Sequence, residues 1–194
     1  MSGVGGSMSG SVAMATVAHV DRPVVLVRAG ETAAEEHLPG DSGTASARTP
    51  YRDVAVAVAV AVAVDVGGPC DEVLDFVFRA AELRQAPLRA VHAWHVPLRR
   101  GVPGVEERTR IREEAEHELT ELLEPRRTKY PDVVVRENLH EGRAAHVLVR
   151  AASGAGLLVV GRRRRRTAVV SHTSPVAHAL IHHVNRPVVL VPHD

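Results

Sequence analysis

Two stretches of this chain repeat one another. GSVAMATVAHVDRPVVLV (Gly10 to Val27) and SPVAHALIHHVNRPVVLV (Ser174 to Val191) align without a gap at a constant offset of 164 residues, with most positions identical. A fixed-offset copy of this length marks a duplicated supersecondary unit. Apolar residues recur at helical spacing in both: Ala13, Thr16, Val17 and Val20 in the first, Ala177, Leu180, Ile181 and Val184 in the second. Pro23 and Pro187 then stop the helix, and each opens a short all-apolar run, the pattern of a strand buried on both faces of a parallel sheet. Each unit therefore predicts a closing helix and a closing strand. A whole domain precedes the second copy and almost nothing precedes the first. Residues 1–28 accordingly read as the last helix and strand of a first domain cut down after a tandem duplication.

Between the copies, Arg28 to Pro50 is small, polar and turn-forming, which reads as a linker over residues 29–50. Residues 51–194 read as one complete domain in which strands and helices alternate. Strands are predicted at Val54 to Val64, Leu88 to Trp94, Val133 to Leu139, Leu157 to Gly161 and the repeated run to Val191. Helices are predicted at Asp71 to Arg84, Val105 to Glu124 and Arg143 to Ser153, with the repeated helix fourth. The inward residues of the second are Ile111, Ala115, Leu119 and Leu122. This alternation implies an α/β fold of the Rossmann-like kind: an open, doubly wound, parallel five-stranded sheet with helices on both faces. In such sheets ligands bind beyond the carboxyl ends of the strands, where strand order reverses. The first strand, VAVAVAVAVAV, has a period of two with no landmark, so only Asp65 and the Gly67, Gly68 turn pin its register.

Composition excludes several classes. The formal net charge of +1 gives no global field toward nucleic acid or anionic lipid. Cys70 is the only cysteine, so neither an internal disulfide nor a cysteine zinc site is available, and a reducing compartment fits. The longest apolar run, Val54 to Val64, is too short to span a membrane, and no signal-peptide pattern opens the chain, so a cytoplasmic location is expected. Gly-Lys-Ser/Thr is absent, and Lys129 is the only lysine, which removes a phosphate-loop NTPase. His92 and His95 flank Trp94, and His182 and His183 are adjacent, but none has a metal-ligand spacing, so no metal is expected. The arginine run lacks interleaved aromatics, which disfavours nucleic acid.

Two places could carry ligand chemistry. Asp65 follows the first strand at the carboxyl edge of the sheet, where its carboxylate could accept from a ribose or an adenine amine, or cap the turn. In LLVVGRRRRRTAVVSHTSPVAHALIHH a strand ends at Gly161 and a loop leads into a helix N-terminus, an arrangement that presents backbone N–H groups to phosphate.

At these residues the chain resembles the universal stress protein family. The resemblance covers residues 51–194 as a full domain and residues 1–28 as the tail of a preceding one, where Gly10 and Ser11 keep the family's Gly-Ser pair. It implies that Asp65 contacts adenosine, that Ala93 lines the adenine site, and that Gly161, Arg163, Arg164, Ser174, Pro175 and Val176 occupy the phosphate-binding positions. It also implies pairing through the last strands of two domains, with self-association as the expected partnership, and the repeat then lets Val24 to Val27 add antiparallel to Val188 to Val191 within one chain. The family's motif is a glycine, a second glycine three positions on, and a Gly-Ser/Thr pair after nine more residues. Only Gly161 survives, since Arg164, Ser174 and Pro175 hold the other places. A side chain at Arg164 obstructs close approach of phosphate, and Pro175 has neither hydroxyl nor N–H. Losing two charge-assisted hydrogen bonds at about 1.5–3 kcal/mol each weakens binding by roughly two to four orders of magnitude. Ser174 and Pro175 remain an effective helix start.

The expected function is a non-enzymatic stress-response domain with weak or lost adenine-nucleotide binding. The alternative is an ATP-binding switch in which Arg162 to Arg166 clamp the phosphates. A nucleotide hydrolase ranks below both, as Asp65 is the only nameable base. The helix left from the first domain is expected to expose Val17 and Val20, favouring self-association.

Overall fold

The computed structural model describes residues 16, 17, 19–58, 71–96, 104–152, 154–163, 183, 184 and 186–193. Six strands form one mixed sheet: β1 (Val24–Leu26), β2 (Val54–Val58), β3 (Leu88–Trp94), β4 (Val135–Glu141), β5 (Leu157–Arg163) and β6 (Val188–His193). Three helices are described, α1 (Asp71–Arg84), α2 (Val105–Lys129) and α3 (Ala144–Ala152). The sheet order is β1-β6-β5-β2-β3-β4. Strands β2 to β6 are mutually parallel, as the alternating pattern predicts, and β1 adds antiparallel to the outer edge of β6. The five strands expected for the complete domain are therefore present, and the sixth comes from the amino-terminal repeat.

Alternation along each strand divides the core in two. Val54, Val56, Leu88, Ala90, Val159, Val189 and Val191 face α1 and α2, where Val77, Phe78, Leu119 and Leu123 meet them. Ala55, Val91, Leu158, Val160, Val188 and Leu190 face the opposite side, where Val147 and Leu148 of α3 cover them. Val17 is 0% exposed within this second cluster, beside Val184. The expectation that the amino-terminal helix leaves Val17 exposed is thus corrected. The strand that follows it docks on β6, which carries the helix's apolar side onto the sheet.

Several boundaries differ from the pattern. Helix α2 does not stop at Glu124 but continues through Pro125 to Lys129. Pro125 lies on an exposed face. The last turn is held by ion pairs, Arg126 to Asp71 and Asp75, Arg127 to Glu137 at 2.6 Å and Lys129 to Asp75 at 3.2 Å. Val133 is buried, but it precedes β4 in a turn in which its N–H donates to the Tyr130 carbonyl. Strand β5 runs beyond Gly161 to include Arg162 and Arg163, paired with Pro192 and His193. Of the Ala-Val run, Val54 to Val58 pair with β3 from Leu88 to His92, and residues 59–64 lie outside the described residues.

Residues 29–50 are anchored along the amino ends of the strands rather than merely bridging. Ala33–Glu36 form a 3-10 turn, and the Glu35 carboxylate accepts from the Thr32 N–H (2.7 Å) and hydroxyl (3.2 Å). Arg186 and Arg52 both donate to the Glu35 carbonyl, at 2.8 and 3.2 Å. The strap then crosses Gly156, where a Cβ would stand 2.7 Å from the Glu36 carbonyl oxygen, so only glycine lets the two backbones approach this closely. Buried His37 pairs with Tyr51, packs tilted against its ring at a centroid distance of 3.9 Å, and donates through Nδ1 to the Thr49 carbonyl.

Candidate functional site

Strand order reverses between β2 and β5: β3 and β4 follow β2 on one side, and β6 follows β5 on the other. The carboxyl ends of β2 and β5 therefore flank the crevice where ligands of doubly wound sheets bind. Gly161 lies near the end of β5, paired with Val191, and Ala93 lies near the end of β3, paired with His140. Arg163 continues β5 opposite His193. The structure thus brings Gly161, Arg163 and Ala93 to the same edge of the sheet. Asp65, Arg164, Ser174, Pro175 and Val176 lie outside the described residues, as do Cys70 and His182.

The side of Gly161 that a Cβ would take is filled. A Cβ there would lie 3.0 Å from both Cδ2 and Nε2 of the His193 ring and 3.3 Å from Cγ2 of Val73. Glycine at this position makes room for an imidazole from the neighbouring strand and for the first turn of α1. His193 is the neighbour that sequence reasoning missed. The signal was available in the period of two, because Val189 and Val191 face α1 and His193 continues their row.

Arg162 points to the other face. Its guanidinium donates through Nη2 to the Val20 carbonyl at 2.6 Å, closing the end of the amino-terminal helix. The carbonyl of Val184, which holds the same place in the second copy of the repeat, accepts from Nε of Arg28 at 3.0 Å. The expected loop of five arginines is therefore corrected: Arg162 and Arg163 are strand residues, and Arg162 holds the amino-terminal segment.

His92 and His95 part company around Trp94. His92 is buried under the α1 face, while His95 is exposed beyond the strand end. No group of three or more His, Cys, Asp or Glu residues with metal-binding proximity occurs among the described residues. No helix among them is long and apolar enough to cross a membrane.

Comparison with known proteins agrees with this geometry. Residues 59–192 match the model of the universal stress protein family. A universal stress protein of Mycobacterium bovis is 29% identical over 199 residues, covering 98% of this chain and 56% of its own length. The chain thus spans about half the length of the curated relatives it matches. A solved structure from the universal stress protein family of Burkholderia pseudomallei covers 73% of this chain and 96% of its own, at 25% identity and a TM-score of 0.52. A universal stress protein structure from Archaeoglobus fulgidus shares the fold over 95% of this chain and 56% of its own, at 13% identity and a TM-score of 0.55. With the family model matched over more than half its length, on a sheet whose order and switch point are those described above, the chain belongs to the universal stress protein family.

Proposed function

We propose that this chain is a non-enzymatic, cytoplasmic stress-response domain that binds adenine nucleotide weakly or not at all and acts through association. In this reading residues 1–28 are the tail of a first domain, residues 29–50 the connection and residues 51–194 the second domain of a tandem pair. The end strands, Val24 to Val27 and Val188 to Val191, are the self-association surface. The observation that carries the reading is the packing of Gly161, the one retained motif residue, against His193 and Val73. The space that a Cβ would have taken is used for packing, and the replaced positions Arg164, Ser174 and Pro175 weaken the phosphate cradle further. The commitment of Arg162 to the Val20 carbonyl counts against a clamp built from all five arginines, and so against an ATP switch of that design.

A gain-of-binding experiment tests this. Arg164→Gly, Ser174→Gly and Pro175→Ser together restore the motif and should raise ATP affinity at least about a hundredfold, the lower end of what two charge-assisted hydrogen bonds supply. Equal affinity for ATP in the restored and unaltered chains would remove the reading.

A further inference from the structure

The pairing of β1 with β6 is centred on equivalent residues. Val25 faces Val189, which holds the same place in the second copy, and the flanking pairs Val24 with Leu190 and Leu26 with Val188 exchange when the two copies are swapped. The pairing is therefore two-fold in sequence as well as in geometry. An edge that accepts one copy of VVL antiparallel in this register also accepts the other copy, which is its own sequence. Strand β6 set against β6 of a second chain would place Val189 against Val189, with Val188 against Leu190 on either side.

The polar latches transfer in the same way. Arg162 donates to the carbonyl of Val20, whose equivalent is Val184. In a two-fold pair each Arg162 would reach the Val184 carbonyl of the second copy, which within one chain is taken by Arg28. Arg28 has no equivalent arginine, because Pro192 stands at its place in the second copy. The intramolecular arrangement also carries the strap, fixed by Arg186 and Arg52 on the Glu35 carbonyl, so its strand is held close to the edge at high effective concentration. Strand β6 has β5 on its other side, so one free edge must serve both pairings.

We propose that the amino-terminal segment is the resident occupant of a self-complementary dimer edge. While β1 is docked the chain is monomeric, and undocking β1 exposes β6 to β6 of a second copy. The proposal rests on the reading of the end strands as the association surface, and it goes further by making the two pairings mutually exclusive.

Sedimentation velocity on full-length chains tests it. Leu26→Pro removes a ladder donor from β1, because the bond from the Leu158 N–H to the Pro187 carbonyl turns the polar backbone groups of Val188 and Leu190 toward β1; it should undock the strand, lowering the dimer dissociation constant at least tenfold relative to the unaltered chain. A second variant locks β1 in place: Val25→Cys with Val189→Cys in a Cys70→Ser background, oxidised. Directly opposed residues in antiparallel strands are about 4.5–5.5 Å apart at Cα, within the reach of a disulfide. The locked chain should remain monomeric, and reduction should restore the association of the unaltered chain. In a Leu26→Pro, Cys70→Ser, Val189→Cys chain, a disulfide between two copies should form at Val189. If the locked chain associates as strongly as the unaltered one, association uses another surface and the underlying reading fails. If the locked chain is monomeric and Leu26→Pro dimerises no more than the unaltered chain, or forms only heterogeneous aggregates without the Val189 crosslink, the mutual exclusion fails.

Discussion

Val25 lies directly opposite Val189, and the two residues occupy the same position in the two copies of the repeat. The copies thus meet about a local two-fold centred on this pair. The arrangement explains why a three-residue strand persists at the edge of the sheet. Val24 and Leu26 lean on the second core cluster beside Leu190, while Val25 remains 52% exposed on the opposite face. Most of the docking therefore comes from elements flanking the strand: Val17 before it, and the arginine latches and the strap around it.

Val17 should be the principal apolar anchor of the amino-terminal segment. It is fully buried among Leu158, Val160 and Leu190, so Val17→Ala leaves a cavity in the second cluster and should cost about 1–3 kcal/mol. Urea denaturation of the full chain checks the cost. An effect below half a kcal/mol would mean that the segment is not part of the cooperative core.

Arg162→Ala and Arg28→Ala each remove a charged donor from a helix-end carbonyl, at Val20 and Val184 respectively. Both bonds are partly buried, so each loss should cost about 1 kcal/mol of docking, roughly a fivefold fall in hydrogen-exchange protection across Val24 to Leu26. Exchange in β3, remote from both latches, should not change.

Much of this fold was legible because its pattern is redundant. Helix α1 and strand β3 fall at their expected boundaries, since apolar period, length and flanking turn residues agree at Asp71, Arg84, Leu88 and Trp94. The repeat itself pointed to antiparallel pairing of the end strands within one chain, and the register bears that out. Tertiary charge was less readable. Pro125 locally marks a helix end, and the turn beyond it exists because acids 50 or more residues earlier in the chain, Asp71 and Asp75, receive Arg126 and Lys129. The strap looked like a spacer because its anchors are backbone carbonyls, Glu35 and Glu36, which no residue type announces. At the candidate site, motif counting found Gly161 but not the reason for it, because His193 reaches it only through the strand register.

Gly161→Ala should destabilise the chain by about 1–3 kcal/mol, as the added methyl meets the His193 ring and Val73. His193→Ala should relieve most of that penalty, giving a coupling of about 1 kcal/mol or more in a double-mutant cycle. Additive effects would show that the glycine is needed for another reason.

Two glutamates of the strap should titrate with opposite consequences. Burial raises the Glu31 carboxyl above the usual range, although the Arg28 backbone and the Arg186 charge oppose it. Its folded-state value exceeds its unfolded one, so its contribution to stability is complete below the ordinary carboxylate range and is lost as pH rises through the elevated value. The Thr32 N–H and hydroxyl lower the Glu35 carboxyl, so its contribution is present above the ordinary range and lost as pH falls through the lowered value. Accordingly, Glu31→Gln should stabilise the chain at neutral pH and be silent in strong acid. Glu35→Gln should weaken it at neutral pH and become silent on acidification. Thermal melts across this range check both signs.

Under the proposed function this domain binds adenine nucleotide weakly or not at all. The most direct test is isothermal titration of the unaltered, monodisperse chain with ATP at low and moderate salt. A dissociation constant two to four orders of magnitude above micromolar, from about 0.1 mM upward to no detectable saturation, is the predicted result. Saturable micromolar binding that survives moderate salt would contradict it, because the remaining arginines would then be holding the phosphates that the lost glycines no longer cradle.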